Sequence, residues 1–255
     1  MTTLTFLGTG TSSGVPVIGC DCAVCRSPDP RDQRSRASVA LQIGERSVLI
    51  DTATELRLQA LRVGLRQVDA ILMTHAHADH TGGFDDLRRF NELMQRHLPV
   101  YADPGTAAML RERFAYAFVD QFPFYGGKPD LLLHEVDGPF ELFGSTVTPI
   151  PVLHGRLPIL GYRTGDLAYV TDAKTIAGES LDLLRGLDVL VLNALRQRPH
   201  PTHLSFAEAL AVIAAIEPKR AYLTHLAHDT SHAEASALLP PGVDIAYDGL
   251  VIEST

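Results

Sequence analysis

The sequence predicts an α/β protein in which two β-sheets pack face to face with helices on both outer sides, a four-layer αββα sandwich. Two observations lead there. Short β-branched or Leu-rich runs alternate with helical stretches, and this alternation occurs twice, before and after Leu131. Two sheet-rich halves, each with its own helices, suit two stacked sheets covered from outside. In the first half, strands are expected at residues 4–7, 39–43, 48–50 and 70–73, with helices near 55–63, 84–97 and 105–117. In the second, strands are expected at 131–136, 146–152, 160–164, 168–171, 189–192, 221–223 and 245–247, with helices near 178–185, 206–216 and 232–238. Catalytic groups in such a sandwich come from strand-end loops along one edge.

The 255 residues, 45% of them hydrophobic, are enough for one large core. No Pro/Gly/Ser-rich linker divides them, so one domain over residues 1–255 is expected. No apolar run approaches the ~18 residues that span a bilayer, and the N-terminus lacks a basic region and cleavage site. A cytoplasmic location without membrane contact follows as the expectation. The formal charge of −8 disfavours long nucleic acid, whose non-specific binding needs clustered Lys and Arg. Small phosphorylated substrates stay open to an acidic protein, because bound divalent ions supply positive charge locally. Residues 8–14, G-T-G-T-S-S-G, read either as a phosphate-cradling turn or as a tight glycine turn, since neither a Walker pattern nor G-x-G-x-x-G is present.

Residues 74–83 read T-H-A-H-A-D-H-T-G-G and follow an apolar run. His75, His77, Asp79 and His80 are residue types that suit a divalent cation such as Zn²⁺ or Mn²⁺. In an extended turn His75 and His77 point the same way, and the start of a helix throws Asp79 and His80 to a neighbouring position. One loop can thus feed two adjacent metals. The string H-A-H-A-D-H resembles the signature of the metallo-β-lactamase superfamily, a group of αββα metallohydrolases with many substrates. Further candidates close later strand-like runs: His154 after a run ending V-L, Asp172 in Y-V-T-D and His225 in L-T-H. The resemblance implies one ion on His75, His77, His154 and Asp172, and another on Asp79, His80, Asp172 and His225, with the Asp172 carboxylate shared.

All three cysteines, Cys20, Cys22 and Cys25, lie within six residues, so a complete intrachain disulfide framework is excluded. A thiolate clamp for a structural zinc fits better, and Cys₃His is an ordinary tetrahedral type. His228, three residues past His225, is the leading fourth ligand, with His232 as the alternative. C-x-C-x-x-C near the start with H-x-x-H near the end narrows the resemblance to the phosphodiesterase family of the carbon-phosphorus lyase system, within the ribonuclease-Z-like branch. No insertion resembles the tRNA-binding arm of ribonuclease Z.

In that family a His before the helix at 206–216 acts on the transferred phosphate. His203 holds this place, with His200 as competitor and Ser205 as the helix cap. The implied enzyme is a metal-dependent phosphodiesterase for a small phosphodiester, linear or cyclic, attacked by hydroxide held between the two ions. His203, protonated, would serve the leaving oxygen, and Asp79 would orient the nucleophile. Two alternatives stay open. One is a lactonase or thioesterase, and the other is a non-catalytic binding protein like those of PQQ biosynthesis, which share part of the cysteine cluster. A homodimer is also open. His97 and His134 have no partner pattern.

Overall fold

The computed structural model describes residues 2–119 and 127–254. Strand periodicity explains its layers. The first sheet runs β14-β1-β2-β3-β4-β5-β6, and the second β13-β12-β11-β10-β9-β8-β7. The first sheet comprises β1 (Thr2–Gly8), β2 (Ser38–Ile43), β3 (Arg46–Ile50), β4 (Ala70–Leu72), β5 (Leu98–Ala102), β6 (Leu131–Glu135) and the C-terminal β14 (Val251–Ser254). The second comprises β7 (Phe140–Leu142), β8 (Ser145–His154), β9 (Leu157–Thr164), β10 (Leu167–Val170), β11 (Val189–Asn193), β12 (Arg220–Thr224) and β13 (Val243–Ile245).

Successive side chains of a strand face opposite sides, so a strand buried on both faces reads as a continuous apolar run. Val39 and Leu41, Val48 and Ile50, Leu167 and Tyr169, and Val189 and Val191 meet in one central core between the sheets. Their neighbours Ala40 and Leu49 face α1 (Leu56–Val63), α3 (Leu87–Met94) and α4 (Pro104–Arg113). On the other side, Ala168, Val170, Leu190 and Leu192 pack in a cluster with Phe206, Ala209 and Ile213 of α6 (Phe206–Ile216). Helices α5 (Gly178–Leu183) and α7 (His232–Ala237) complete that side. The predicted four-layer sandwich is the observed one. Ser205 caps α6 in a reciprocal capping box with Glu208, a feature worth about 1 kcal/mol.

Some boundaries differ from the sequence reading. The helix expected at 84–97 is a 3-10 turn at Phe84–Asp86 and then α3, which ends at Gln95 in left-handed backbone. The next residues form β5, which the sequence reading omitted because Pro99 cannot donate to a ladder. Pro99 is tolerated because β4 pairs only from Val100 onward. Edge strands β7 and β14 were not foreseen. Strand β13 begins two residues before the expected 245–247, at Val243. Among the described residues no helix is long and apolar enough to cross a membrane.

The 8–14 segment follows the glycine-turn alternative. A Cβ on Gly8 would lie 2.0 Å from the Arg36 carbonyl oxygen, and one on Gly10 would lie 2.6 Å from that of Arg34. These glycines let two backbones touch.

Candidate metal centre

The chain delivers its candidate ligands from strand ends along one rim. Past β4, the chain leaves the sheet through His75 and His77, and the short helix α2 (Ala78–Thr81) carries Asp79 and His80. Strand β8 ends on His154, while Asp172 follows β10 and His225 follows β12. Asp172 and His225 take left-handed backbone, with φ of 60° and 59°, as does Asp51 after β3 with φ of 63°. Non-glycine residues rarely adopt this region. Its recurrence at three strand ends shows the chain bent sharply where side chains must be aimed.

Two donor groups share one residue. His75, His77, His154 and Asp172 each offer a donor atom within 4.8 Å of the others, as do His80, Asp172 and His225. Asp172 faces both groups. Its Oδ2 lies 3.7 Å from His75 Nε2 and 3.3 Å from His80 Nε2, and its Oδ1 lies 3.1 Å from His225 Nδ1. Asp79 flanks the second group, with Oδ2 3.4 Å from His80 Nε2.

The rings are oriented from behind. His80 Nδ1–H donates to Asp51 Oδ2 at 2.6 Å, and His154 Nδ1–H donates to the Thr202 carbonyl at 2.8 Å. Both bonds leave Nε2 free for a ligand on the cluster side. His80 Nε2 and both His225 ring nitrogens are buried and in no hydrogen bond. Such atoms cost roughly 1–3 kcal/mol each when left unsatisfied. A cation among them removes that cost, so the donor set fits a divalent metal.

Electrostatics agree with this fit. Burial lowers the pKa of His75, His77 and His225, which favours the neutral form that ligates. Burial works against a charged His80 too, but Asp172 and Asp51 outweigh it and hold its pKa well above the ordinary value. For Asp172 the burial penalty is overcome by His225 and His80, and for Asp79 by His80, so both carboxyls stay below their usual range.

Asp51 was absent from the sequence reading. It is fully buried and also accepts from Thr74 N–H at 2.8 Å and Thr74 Oγ1 at 2.7 Å, so it fixes the start of the H-A-H-A-D-H loop as well as His80. The signal was available, because V-L-I-D repeats the pattern of an apolar strand closed by Asp that singles out Asp172. Asp51→Asn is expected to weaken divalent-ion binding by about 10–100-fold, the usual cost of losing a carboxylate behind a ligating His. Competition against a fluorescent chelator measures it, and unchanged affinity would remove Asp51 from this role.

A second donor cluster lies at the chain's start. The sulfurs of Cys20, Cys22 and Cys25 stand 3.3, 3.4 and 3.4 Å from His228 Nδ1. Tetrahedral zinc, with Zn–S of about 2.3 Å and Zn–N of about 2.0–2.1 Å, sets such S···N edges near 3.5 Å. The Cys25 backbone N–H and the His228 ring lower the Cys22 thiol to about 6, while burial pushes Cys25 up to about 11. The structure groups His228 with the three thiols, while the alternative, His232, is not in the group.

The model of the beta-lactamase superfamily domain matches residues 46–226, which include every donor of the first cluster. The chain belongs to the metallo-β-lactamase superfamily. It is 44% identical over 250 residues to an octanoyltransferase of Porphyromonas gingivalis, matching 96% of this chain. The chain spans about half, 50%, of that relative's length. A crystal structure described as a new diphosphatase from the PhnP family superposes with a TM-score of 0.92 at 44% identity, covering 100% of this chain and 98% of that one. Ribonuclease Z of Mycobacterium sp. is 28% identical over 195 residues, 67% of this chain and 66% of its own length. The chain therefore carries the metallo-β-lactamase fold, which implies divalent-metal binding, and its His/Asp clusters could hold such ions.

His203 lies against both donor groups. Its ring lies 4.5 Å from His154 and 4.9 Å from His225, and its Nδ1 is buried without a partner. His200 stands behind it, 5.2 Å away, with Nδ1 engaged by Thr202. Burial opposes the protonated state expected for His203. Burial, reinforced by His225, lowers its pKa to about 3. His97 pairs with Asp130 at the surface, and His134 stacks on Tyr101.

Proposed function

We propose that the chain is a metal-dependent phosphodiesterase acting on a small phosphodiester, linear or cyclic. His75, His77, His154 and Asp172 hold one Zn²⁺ or Mn²⁺ ion, and Asp79, His80, His225 and Asp172 hold another. When bound, such a pair lowers the pKa of water from roughly 15.7 toward neutrality and takes up charge on phosphoryl oxygens. The observation that carries the reading is His203, an imidazole against both ligand groups with a buried nitrogen and no protein partner. Neutral at rest, it donates one N–H to a phosphoryl oxygen. The arriving phosphate anion raises its pKa, so it can take up the proton that the attacking water gives up and pass it to the leaving oxygen. Asp79, at the rim of the second group, accepts a hydrogen bond from the attacking water and orients it.

The surroundings favour an anionic substrate. Besides burial, the cations Arg196 and Lys174 depress His200 and so set a positive field beside His203. Lys174 is neutralised by Glu208, but Arg196 keeps a buried Nε without a hydrogen bond. Relatives named diphosphatase and ribonuclease Z support phosphorus as the atom attacked. A second reading, an acyl ester or thioester hydrolase, is favoured by the relative named octanoyltransferase. The metal-loaded protein should be assayed on bis(p-nitrophenyl) phosphate, a cyclic phosphodiester, an organic diphosphate and an octanoyl thioester. The diesters are expected to give the highest kcat/KM. A thioester preference would overturn the proposal in favour of the second reading.

Cys20, Cys22, Cys25 and His228 hold a structural zinc in this proposal. Cys22→Ser is then expected to lower Tm by several degrees or more, since 1 kcal/mol corresponds to roughly 2–4 °C in a domain of this size and structural zinc contributes directly to folding. Calorimetry with parallel activity assays checks it. An unchanged Tm with abolished activity would make the clamp catalytic.

A further inference from the structure

We infer that Arg34 is a positioning residue for the metal centre, acting through the backbone of residues 225–232. The inference rests on the reading that His225 helps hold an ion. His75, His80 and His154 each have a ring nitrogen engaged away from the cluster, by Thr74, Asp51 and the Thr202 carbonyl. His225 has none. Its aim therefore depends on its left-handed backbone and on whatever fixes the segment that follows.

That segment is held by a buried guanidinium. Arg34 is 1% exposed, and its Nη1–H donates to the Ala227 carbonyl at 2.8 Å and its Nη2–H to the Thr230 carbonyl at 3.2 Å. Nη2 also donates to Asp32 Oδ1 at 3.0 Å, and the same oxygen accepts the His232 N–H at 2.6 Å. One buried ion pair thus makes three bonds to the backbone just past His225. Backbone pairing extends the hold, with Leu226 N–H on the Thr9 carbonyl at 2.9 Å and Thr11 N–H on the Leu226 carbonyl at 3.1 Å. Val15 and Arg34 exchange two backbone bonds of 2.8 Å each, which ties in the strand leading to the cysteines.

A buried ion pair is a poor device for stability alone, because apolar residues of equal volume often do as well. A planar fork of donors fixes two carbonyls at set positions, which an apolar side chain cannot do. Ala227 lies between His225 and His228, so Arg34 sets the spacing between a ligand of the centre and a ligand of the clamp.

The test uses Mn²⁺ alone as probe. The fraction of spin-coupled Mn²⁺ pairs, read by electron paramagnetic resonance, is followed against free Mn²⁺ for the full chain and for Arg34→Lys. Lysine keeps the charge opposite Asp32 but lacks the planar fork whose two nitrogens hold the two carbonyls. The Mn²⁺ needed to fill the second position is expected to rise about 10-fold or more, with the first position unchanged. Leu190→Ala, a core variant away from this loop, controls for lost stability and should leave pairing as in wild type. Wild-type pairing in Arg34→Lys, or equal weakening in Leu190→Ala, would overturn the inference. If Arg34→Lys folds poorly, the double variant Arg34→Met with Asp32→Leu removes the bonds and the buried charges together and must show the same shift. A wild-type protein that never forms coupled pairs would instead overturn the dinuclear reading and take the inference with it.

Discussion

Asp172→Asn is expected to reduce the protein from two bound ions toward one and to slow diester hydrolysis by about 10³–10⁴-fold. Its two oxygens face His75 and His80 on one side and His225 on the other, all within 3.7 Å, so it is the one residue common to both donor groups. The amide keeps the shape but loses the charge that offsets two cations. Metal ions contribute several kcal/mol of charge stabilisation to such reactions, and each ~1.4 kcal/mol is a factor of ten in rate. Elemental analysis and turnover of bis(p-nitrophenyl) phosphate should be measured on the same sample. Two retained ions with a rate within tenfold of wild type would show that Asp172 is not shared.

His203→Ala is expected to keep both ions and lower kcat by about 10²–10⁴-fold, the usual range for a positioned acid or base. Its place beside His154 and His225 would bring it against a bound substrate, and two roles for it can be told apart. If it passes a proton to the leaving oxygen, the loss shrinks for a nitrophenolate leaving group, which needs no proton. If it only donates a hydrogen bond to a phosphoryl oxygen, good and poor leaving groups lose equally. No loss with either removes His203 from the mechanism and moves the role to His200.

Much of the fold was legible because its strands are buried on both faces and read as short continuous apolar runs. Val189–Asn193 is an example. The start of the helix Phe206–Ile216 was legible because Ser205 and Glu208 form a local cap that needs no tertiary partner. Strands β5, β7 and β14 were not, because Pro99 argues against a strand and the other two are short edges whose existence depends on the neighbour they pair with. The V-L-I-D pattern marks Asp51 as a strand-closing Asp, but its role behind His80, 29 residues away, is set by the tertiary structure.

By itself the sequence determined the chemistry on offer, namely three imidazoles and a carboxylate in six positions, strand-closing His and Asp residues, and three thiols in six. Residue type and local spacing carry that information, since a ligand's softness and charge do not depend on the fold. Only the tertiary structure decided which of these groups meet. His228 rather than His232 reaches the thiols, His203 rather than His200 lies against the ligands, and burial lowers the His203 pKa. Those outcomes turn on contacts between residues up to about 200 positions apart and on burial, which shifts a pKa only after the chain has closed around the group.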